Sequence, residues 1–138
     1  MQHRFIITQN MQNCIDECLQ CYQTCTREAM NHCLEAGGKH VEPKHFRLMM
    51  TCSDICRTAA DFMLSGSDLH SIICAACAQV CEACAQSCEQ VGDMEDCVQA
   101  CRRCAQSCLQ MSSAAGDNTP ALLGGGRAPS SSTVKAPM

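Results

Sequence analysis

The stretch CAACAQVCEACAQSC, residues 74–88, is followed after Gly92 and Asp93 by CVQACRRCAQSC, residues 97–108. The cysteines of the first stretch recur every 3, 4, 3 and 4 residues, and those of the second every 4, 3 and 4. Alternating steps of 3 and 4 are typical of a helix face that packs against other helices. The two stretches therefore predict two helices, each with thiol groups on the face where Leu or Ile would usually form a core.

Two stretches nearer the N-terminus repeat this pattern. A helix over about residues 9–36, capped by Thr8 or Asn10 and ended by Gly37-Gly38, carries a stripe of Met11, Cys14, Cys18, Cys21 and Cys25. A helix over about residues 43–64, opened by Pro43, carries His45, Met49, Cys52, Cys56, Ala59 and Met63. The other two helices are expected over about residues 68–91, with a stripe that starts at His70, and about residues 94–113, with Asp93 as the cap. Because the connections are only a few residues long, the chain predicts an all-α, antiparallel, up-down-up-down four-helix bundle with a Cys-lined core.

The composition of the chain changes near residue 116. We expect one bundle domain over residues 1–115 and a flexible Gly-, Pro- and Ser-rich tail over residues 116–138. The formal net charge is -4 and no basic stripe is present, which argues against a nucleic-acid partner. The chain shows neither a run of about 18 apolar residues nor an N-terminal signal-peptide pattern. We therefore expect no membrane partner and a cytoplasmic location.

The sixteen cysteines are better explained as metal ligands than as packing or as disulfides. All except Cys33 fall on the four stripes, where Leu or Ile would pack better and resist oxidation. Residues four apart on a helix have Cβ atoms about 5–6 Å apart, whereas a disulfide needs about 3.5–4.5 Å. Pairs such as Cys14 and Cys18 therefore cannot close within a regular helix, although disulfides between helices remain an alternative. Such a pair can instead hold one ion between its two sulfurs.

The softness of thiolate restricts the metal to Cu(I), Zn or an iron–sulfur cluster. A zinc ion with four thiolates carries a charge of -2, and several such sites stacked in a dry core would be very costly. Cu(I) at about one ion per thiolate is neutral overall. We therefore expect several Cu(I) ions in each chain: about 8 with unshared thiolate pairs, and roughly twice that with bridging sulfurs. The alternatives are a zinc or heavy-metal thiolate buffer and an iron–sulfur redox protein.

The cysteine runs resemble those of the bacterial copper storage proteins, in particular the cytosolic branch. The motifs that carry this resemblance lie within about residues 10–112: the CxxxCxxCxxxC runs that start at Cys14, Cys77 and Cys97, and the pair Cys52 and Cys56. The resemblance implies a four-helix bundle with Cu(I) in its core, a role in copper storage and metal homeostasis without enzymatic turnover, and assembly as a homotetramer.

One end of the predicted bundle is richer in His, Met and polar residues, and we expect copper to pass there. Neutral imidazole and thioether groups bind Cu(I) more weakly than thiolates, so they can hand it inward. His40 and His3 are expected to be solvated and idle. The expected metal ligands, none of them catalytic, are Cys14, Cys18, Cys21, Cys25, Cys33, Cys52, Cys56, Cys74, Cys77, Cys81, Cys84, Cys88, Cys97, Cys101, Cys104 and Cys108. The resemblance to the copper storage proteins, whose open end carries Met and His residues, implies His32, His45 and Met49 as further ligands.

Overall fold

A computed structural model describes residues 6–116, with side chains through residue 112, and its architecture is a four-helix bundle. The helices are α1, Gln9–Arg27; α2, Pro43–Leu64; α3, His70–Val91; and α4, Glu95–Gly116. A π-helical segment, Glu28–Cys33, and a last turn, Leu34–Ala36, continue α1, and a 3₁₀ turn, Gly38–Val41, leads into α2. His3 and nearly all of the expected tail lie outside the described residues.

The helix boundaries follow the capping signals of the sequence. The Thr8 side chain accepts a hydrogen bond from the backbone N–H of Met11 at 3.1 Å, which satisfies one of the free donors at the start of α1. Pro43 is the first residue of α2, and the Glu42 carboxylate accepts from the backbone N–H of His45 at 3.1 Å. Gly92 ends α3 at φ 86° and ψ 161°, a conformation almost restricted to glycine.

The expected cap of α4 is wrong. Asp93 has a left-handed φ of 58°, and the helix begins two residues later at Glu95. The residue before the helix is Met94, whose carbonyl accepts from Val98 at 3.0 Å and whose side chain is buried. Asp tolerates the left-handed region better than most residues, so Asp93 completes the tight turn after Gly92.

The four helices form a ring in which each packs against two neighbours. The packed pairs are α1–α2, α2–α3, α3–α4 and α4–α1. The helices on each diagonal, α1 with α3 and α2 with α4, face one another across the centre. All sixteen cysteines are fully buried, so the predicted sulfur core is confirmed.

The outer surface carries ion pairs that link α4 to its two neighbours. The Arg102 guanidinium lies 3.1 Å from Glu89 and 3.5 Å from Glu82 on α3, and Arg103 lies 3.2 Å from Glu17 on α1. These groups are substantially exposed, and exposed pairs contribute at most about 1 kcal/mol each. The bundle is therefore held together mainly by its buried faces.

Helix α3 is also long and apolar enough to cross a membrane by length and composition alone. Its mean hydropathy reaches 1.3 over an 18-residue window, 44% of which is buried inside the bundle. The high value comes largely from Cys and Ala, and the Cys face of the helix lies in the bundle core. A core helix of a bundle passes this test for the same reason, so it gives little support for a membrane span.

Candidate metal centre

Twelve of the buried cysteines form four groups in which all sulfurs lie within 4.8 Å of one another. Each group draws on three or more helices, because the stripes converge on the bundle axis. Three groups have four thiols and one has three. The groups are Cys21, Cys25, Cys52 and Cys101; Cys21, Cys56, Cys81 and Cys104; Cys18, Cys77, Cys104 and Cys108; and Cys14, Cys74 and Cys108.

Shared sulfurs join these groups into one chain along the axis. Cys21 belongs to the first and second groups, Cys104 to the second and third, and Cys108 to the third and fourth. A thiolate has lone pairs for two metal ions, so each shared sulfur can bridge neighbouring sites. We call this array the thiol chain. Its geometry suits several ions that share ligands better than a set of isolated sites.

Sulfurs also meet across the diagonals of the ring. The Sγ atoms of Cys52 and Cys101 lie 3.9 Å apart, and those of Cys56 and Cys104 lie 3.7 Å apart, although both pairs join α2 to α4. Because the cysteine side chain is short, sulfur atoms from opposite helices meet at the centre of the bundle. All sixteen cysteines are free thiols in the structure, and neighbouring sulfurs lie at hydrogen-bond distance.

Within the thiol chain, hydrogen bonds between sulfurs raise the pKa of some thiols and lower the pKa of others. A hydrogen bond from Cys101 lowers the pKa of Cys25, and one from Cys104 lowers the pKa of Cys108. The pKa of Cys104 rises in turn, chiefly because it donates to Cys108. Each thiolate thus forms beside a thiol that stabilises its charge, which favours stepwise exchange of protons for metal ions.

The π-helical segment brings the last cysteine of the first helix into the core. Cys33 lies eight residues after Cys25, and in a regular α-helix eight residues overshoot two turns by about 80°. A regular helix would therefore place His32, seven residues after Cys25, on the inner face. The wider turn of Glu28–Cys33 instead buries Ala29 and Cys33, whereas His32 remains half-buried. The sequence placed Cys33 off the stripes, and the structure corrects this.

Cys33 stands in a cluster of mixed donors that we call the His–Met end. Its sulfur lies 3.9 Å from His40 Nδ1 and 3.9 Å from Met94 Sδ. The rings of His32 and His40 meet edge to face with centroids 4.8 Å apart, and His32 Nε2 is buried and has no hydrogen-bond partner in the part of the chain that the structure describes. His40 is thus half-buried against a thiol, in contrast to the expectation that it is solvated and idle.

His45 presents an unused nitrogen at the same end. Its side chain is 3% exposed, and Nδ1 lies 2.7 Å from the Ser87 hydroxyl. Burial lowers the pKa of His45, so the ring stays neutral at neutral pH. Nε2 is buried and has no hydrogen-bond partner among the described residues. A neutral imidazole anchored through one nitrogen leaves the other free to bind metal.

Met49 lies between the His–Met end and the thiol chain. It is fully buried, and its Sδ accepts hydrogen bonds from Cys88 at 3.4 Å and from Cys84 at 3.9 Å. Cys84, Cys88, Cys97 and Cys33 are the four cysteines outside the thiol chain. Three of them contact neutral donors: Cys84 and Cys88 lie against Met49, and Cys33 lies against His40 and Met94.

A surface pocket reaches this region from solvent. It has a volume of about 200 Å³, and Cys88 and Met94 contribute to its lining together with the acidic residues Glu89, Asp93 and Glu95. The opposite end of the bundle is closed by buried Met11, Met63 and Met111. There Ser71, rather than the expected His70, occupies the inward position, and its buried hydroxyl has no hydrogen-bond partner within residues 6–112.

The structure brings the predicted ligands into two zones. The thiol chain holds twelve cysteines; of the other four, Cys84 and Cys88 contact Met49, and Cys33 contacts His40 and Met94. Sequence reasoning did not assign His40 and Met94 as ligands. Met94 was marked by its position at the start of the fourth stripe, whereas His40 carried no signal because it lies in a turn without periodicity.

Comparison with known proteins gives a consistent result. The family model described as copper storage protein matches residues 7–113. The uncharacterized cysteine-rich protein YhjQ of Bacillus subtilis (strain 168) is 34% identical over 67 residues, which are 49% of this chain and 61% of that relative.

The chain matches three solved structures over nearly their full length. The crystal structure of the Nmul_A1745 protein from Nitrosospira multiformis is 60% identical, with a TM-score of 0.75, and the match covers 76% of this chain and 96% of that chain. The Cu(I)-bound copper storage protein BsCsp3 is 34% identical, with a TM-score of 0.70, over 75% of this chain and 99% of that chain. The apo form of copper storage protein 3 from Bacillus subtilis has a TM-score of 0.61 and the same identity.

Proposed function

The chain belongs to the copper storage protein family, and from that premise we propose that it stores several Cu(I) ions through the cysteine thiolates of its core. The observation that carries this function is the thiol chain, in which four groups of mutually close sulfurs are linked by shared members. A protein that holds one ion needs only one such group. The protein sequesters metal and performs no catalytic turnover.

The mechanism of loading is an exchange of protons for metal ions. Neighbouring sulfurs of the core lie 3.4–4.0 Å apart, so they can bind metal with small side-chain adjustments. Each Cu(I) replaces a thiol proton, so the charge of the core stays close to neutral as it fills. This neutrality is why a buried core can hold many Cu(I) ions and few divalent ones.

The ligands of this function are all sixteen cysteines together with His32, His45 and Met49. His40 and Met94 join them because their donor atoms lie 3.9 Å from the Cys33 sulfur. His45 is supported by its unpartnered Nε2, and Met49 by its contacts with Cys84 and Cys88.

Copper passes through the His–Met end. The pocket beside Cys88 and Met94 supports this route, because one of the outer thiols, Cys88, contributes to its lining. Its acidic rim favours cations at the opening. From there Met49 provides a neutral thioether between the outer cysteines and the thiol chain, so an ion can move inward by exchange of one ligand at a time.

The protein works as a cytoplasmic homotetramer, with the bundle over residues 1–115 as its functional domain and residues 116–138 as a flexible tail. Exposed apolar side chains such as Leu34, Ile72 and Leu109 offer contact surface for further copies of the chain. Light scattering on the purified full-length protein tests the tetramer, and a mass equal to one chain would contradict it.

An anaerobic titration of the reduced, metal-free protein with Cu(I) against a chromophoric chelator tests the storage function. We expect binding to continue to at least about 8 ions per chain, as two thiolates per ion require. Saturation at one or two ions would contradict storage. The helical circular dichroism of the metal-free protein separates storage from a metallothionein-like buffer, because a buffer of that kind is unfolded without metal.

A further inference from the structure

The group formed by Cys21, Cys25, Cys52 and Cys101 has the size and shape of a single tetrahedral metal site. Five of its six sulfur–sulfur distances fall in a narrow range. Cys21 lies 3.9 Å from Cys25, 3.9 Å from Cys52 and 3.7 Å from Cys101; Cys101 lies 3.7 Å from Cys25 and 3.9 Å from Cys52. The sixth distance is no more than 4.8 Å.

These distances match those around a zinc ion. A Zn–S bond of about 2.3 Å in a regular tetrahedron places the sulfurs about 3.8 Å apart. The four cysteines come from three helices, so the site is formed only in the folded bundle. We propose that the copper-free protein binds one Zn²⁺ at this tetrathiolate, as a resting occupant distinct from the stored Cu(I).

Zinc fits this group better than the other metals that favour four sulfurs. An iron–sulfur cluster places inorganic sulfide between its cysteines, which a hole with edges of 3.7–3.9 Å cannot hold. A single Fe²⁺ would fit, but sites of this kind bind Zn²⁺ more tightly than Fe²⁺.

The charge of the site limits how many such ions the core holds. Zn²⁺ with four thiolates carries -2, and a buried charge of this size needs hydrogen-bond donors. The Cys52 thiol donates to the Cys81 sulfur at 3.8 Å, and once Cys52 has lost its proton to metal binding the Cys81 thiol can donate in the reverse direction. The adjoining group with Cys56 uses the same Cys21, so a second zinc ion there would share that sulfur and raise the buried charge to about -3, which makes double occupancy costly. One zinc ion leaves most of the core protonated and neutral.

The loading of Cu(I) displaces this ion. A neutral Cu(I)–thiolate core is less costly to bury than a site of charge -2. Because Cu(I) needs the same four thiolates, bound zinc is released in proportion as this part of the core fills. The inference thus goes beyond copper storage and predicts an exchange between two metals at one set of ligands.

The test is an anaerobic titration of the reduced, copper-free, full-length protein with Zn²⁺ against a chromophoric zinc chelator. We expect one equivalent to bind more tightly than any later one. Co²⁺ added in place of Zn²⁺ reports the ligand set, and we expect the intense visible absorption of a tetrahedral tetrathiolate. Subsequent addition of Cu(I) is expected to release one equivalent of Zn²⁺.

Matched variants locate the site. Cys25→Ser and Cys101→Ser each remove a ligand that belongs to this group alone, whereas Cys97→Ser removes a buried thiol of α4 that lies in none of the four groups. We expect the first two variants to lose the tight equivalent and the tetrathiolate spectrum, and Cys97→Ser to keep both, with helical circular dichroism confirming that all three fold.

Absence of a tight equivalent, or an equal loss of zinc binding in Cys97→Ser, would overturn the proposal. The Cu(I) capacity of the same samples is measured separately. A failed zinc site with full copper capacity therefore leaves the storage function standing, and a failed copper capacity is recognised independently of zinc.

Discussion

Replacement of Met49 separates its role in packing from its role as a copper ligand. The side chain is fully buried, and its sulfur contacts Cys88 at 3.4 Å and Cys84 at 3.9 Å. Met49→Ala leaves a cavity at the junction of α2 and α3, and buried Met→Ala changes cost about 2–5 kcal/mol. Met49→Leu has a similar volume and costs less than about 1.5 kcal/mol, but it removes the thioether.

Two measurements on reduced, metal-free protein check this prediction. Urea unfolding gives the free energy of unfolding, and we expect Met49→Ala to lose several times as much as Met49→Leu. Anaerobic transfer of Cu(I) from a chromophoric chelator gives the rate and extent of loading. We expect Met49→Leu to load more slowly and to reach a similar final capacity, because the thiol chain does not include Met49.

The outcome that refutes the reasoning is specific to each role. If Met49→Leu takes up Cu(I) as fast as the natural chain, the Met49 side chain serves only to pack the core, and the proposed inward route is wrong. If Met49→Ala unfolds at the same urea concentration as the natural chain, the core tolerates a void at this position, and the burial argument fails.

Three further predictions concern the shared sulfurs, the buried thiol of Cys33 and one turn. Cys104 belongs to two groups of the thiol chain, so Cys104→Ser is expected to lower the Cu(I) capacity more than Cys97→Ser; equal losses in the chelator titration would argue against bridging. Burial raises the pKa of Cys33 from 9.0 to about 11, so the folded metal-free chain keeps a proton that the unfolded chain loses. The protonated Cys33 thiol contributes fully to the free energy of unfolding below pH 9, and this contribution is lost as the pH rises to about 11. Across this range we expect the urea midpoint of the natural chain to fall more steeply than that of Cys33→Ala. A Cβ at Gly92 would meet nothing within 4 Å, so Gly92→Ala is expected to cost about 1–3 kcal/mol through its φ of 86° alone, with an unchanged Cu(I) capacity.

The bundle was predictable because its signal is periodic. Steps of 3 and 4 between cysteines fix which face of each helix is buried, and the boundaries at Thr8, Gly37 and Pro43 follow from local capping chemistry. The twelve cysteines of the thiol chain all lie on stripes that the spacing identifies. Their division into overlapping groups was not predictable, because it depends on the register between helices.

The errors arise where the chain departs from regular α-helical geometry. The π-helical segment turns Cys33 inward in place of His32. The individual residues of Glu28–Cys33 have no propensity that predicts this wider turn. His40 reaches the Cys33 sulfur from a 3₁₀ turn, so its role depends on tertiary packing. Asp93 was read as a cap, but a left-handed turn after Gly92 delays the helix to Glu95.

The contact of opposite helices through sulfur alone has a consequence for the lifetime of the loaded protein. Every ion bound between diagonal helices cross-links them. Because such ions bind only the folded state, the free energy of unfolding rises as more sites are occupied. Bound Cu(I) therefore makes the folded protein more resistant to proteolysis. A cell that needs its copper back has to draw ions out through the intact bundle, because degradation of a full one would be slow.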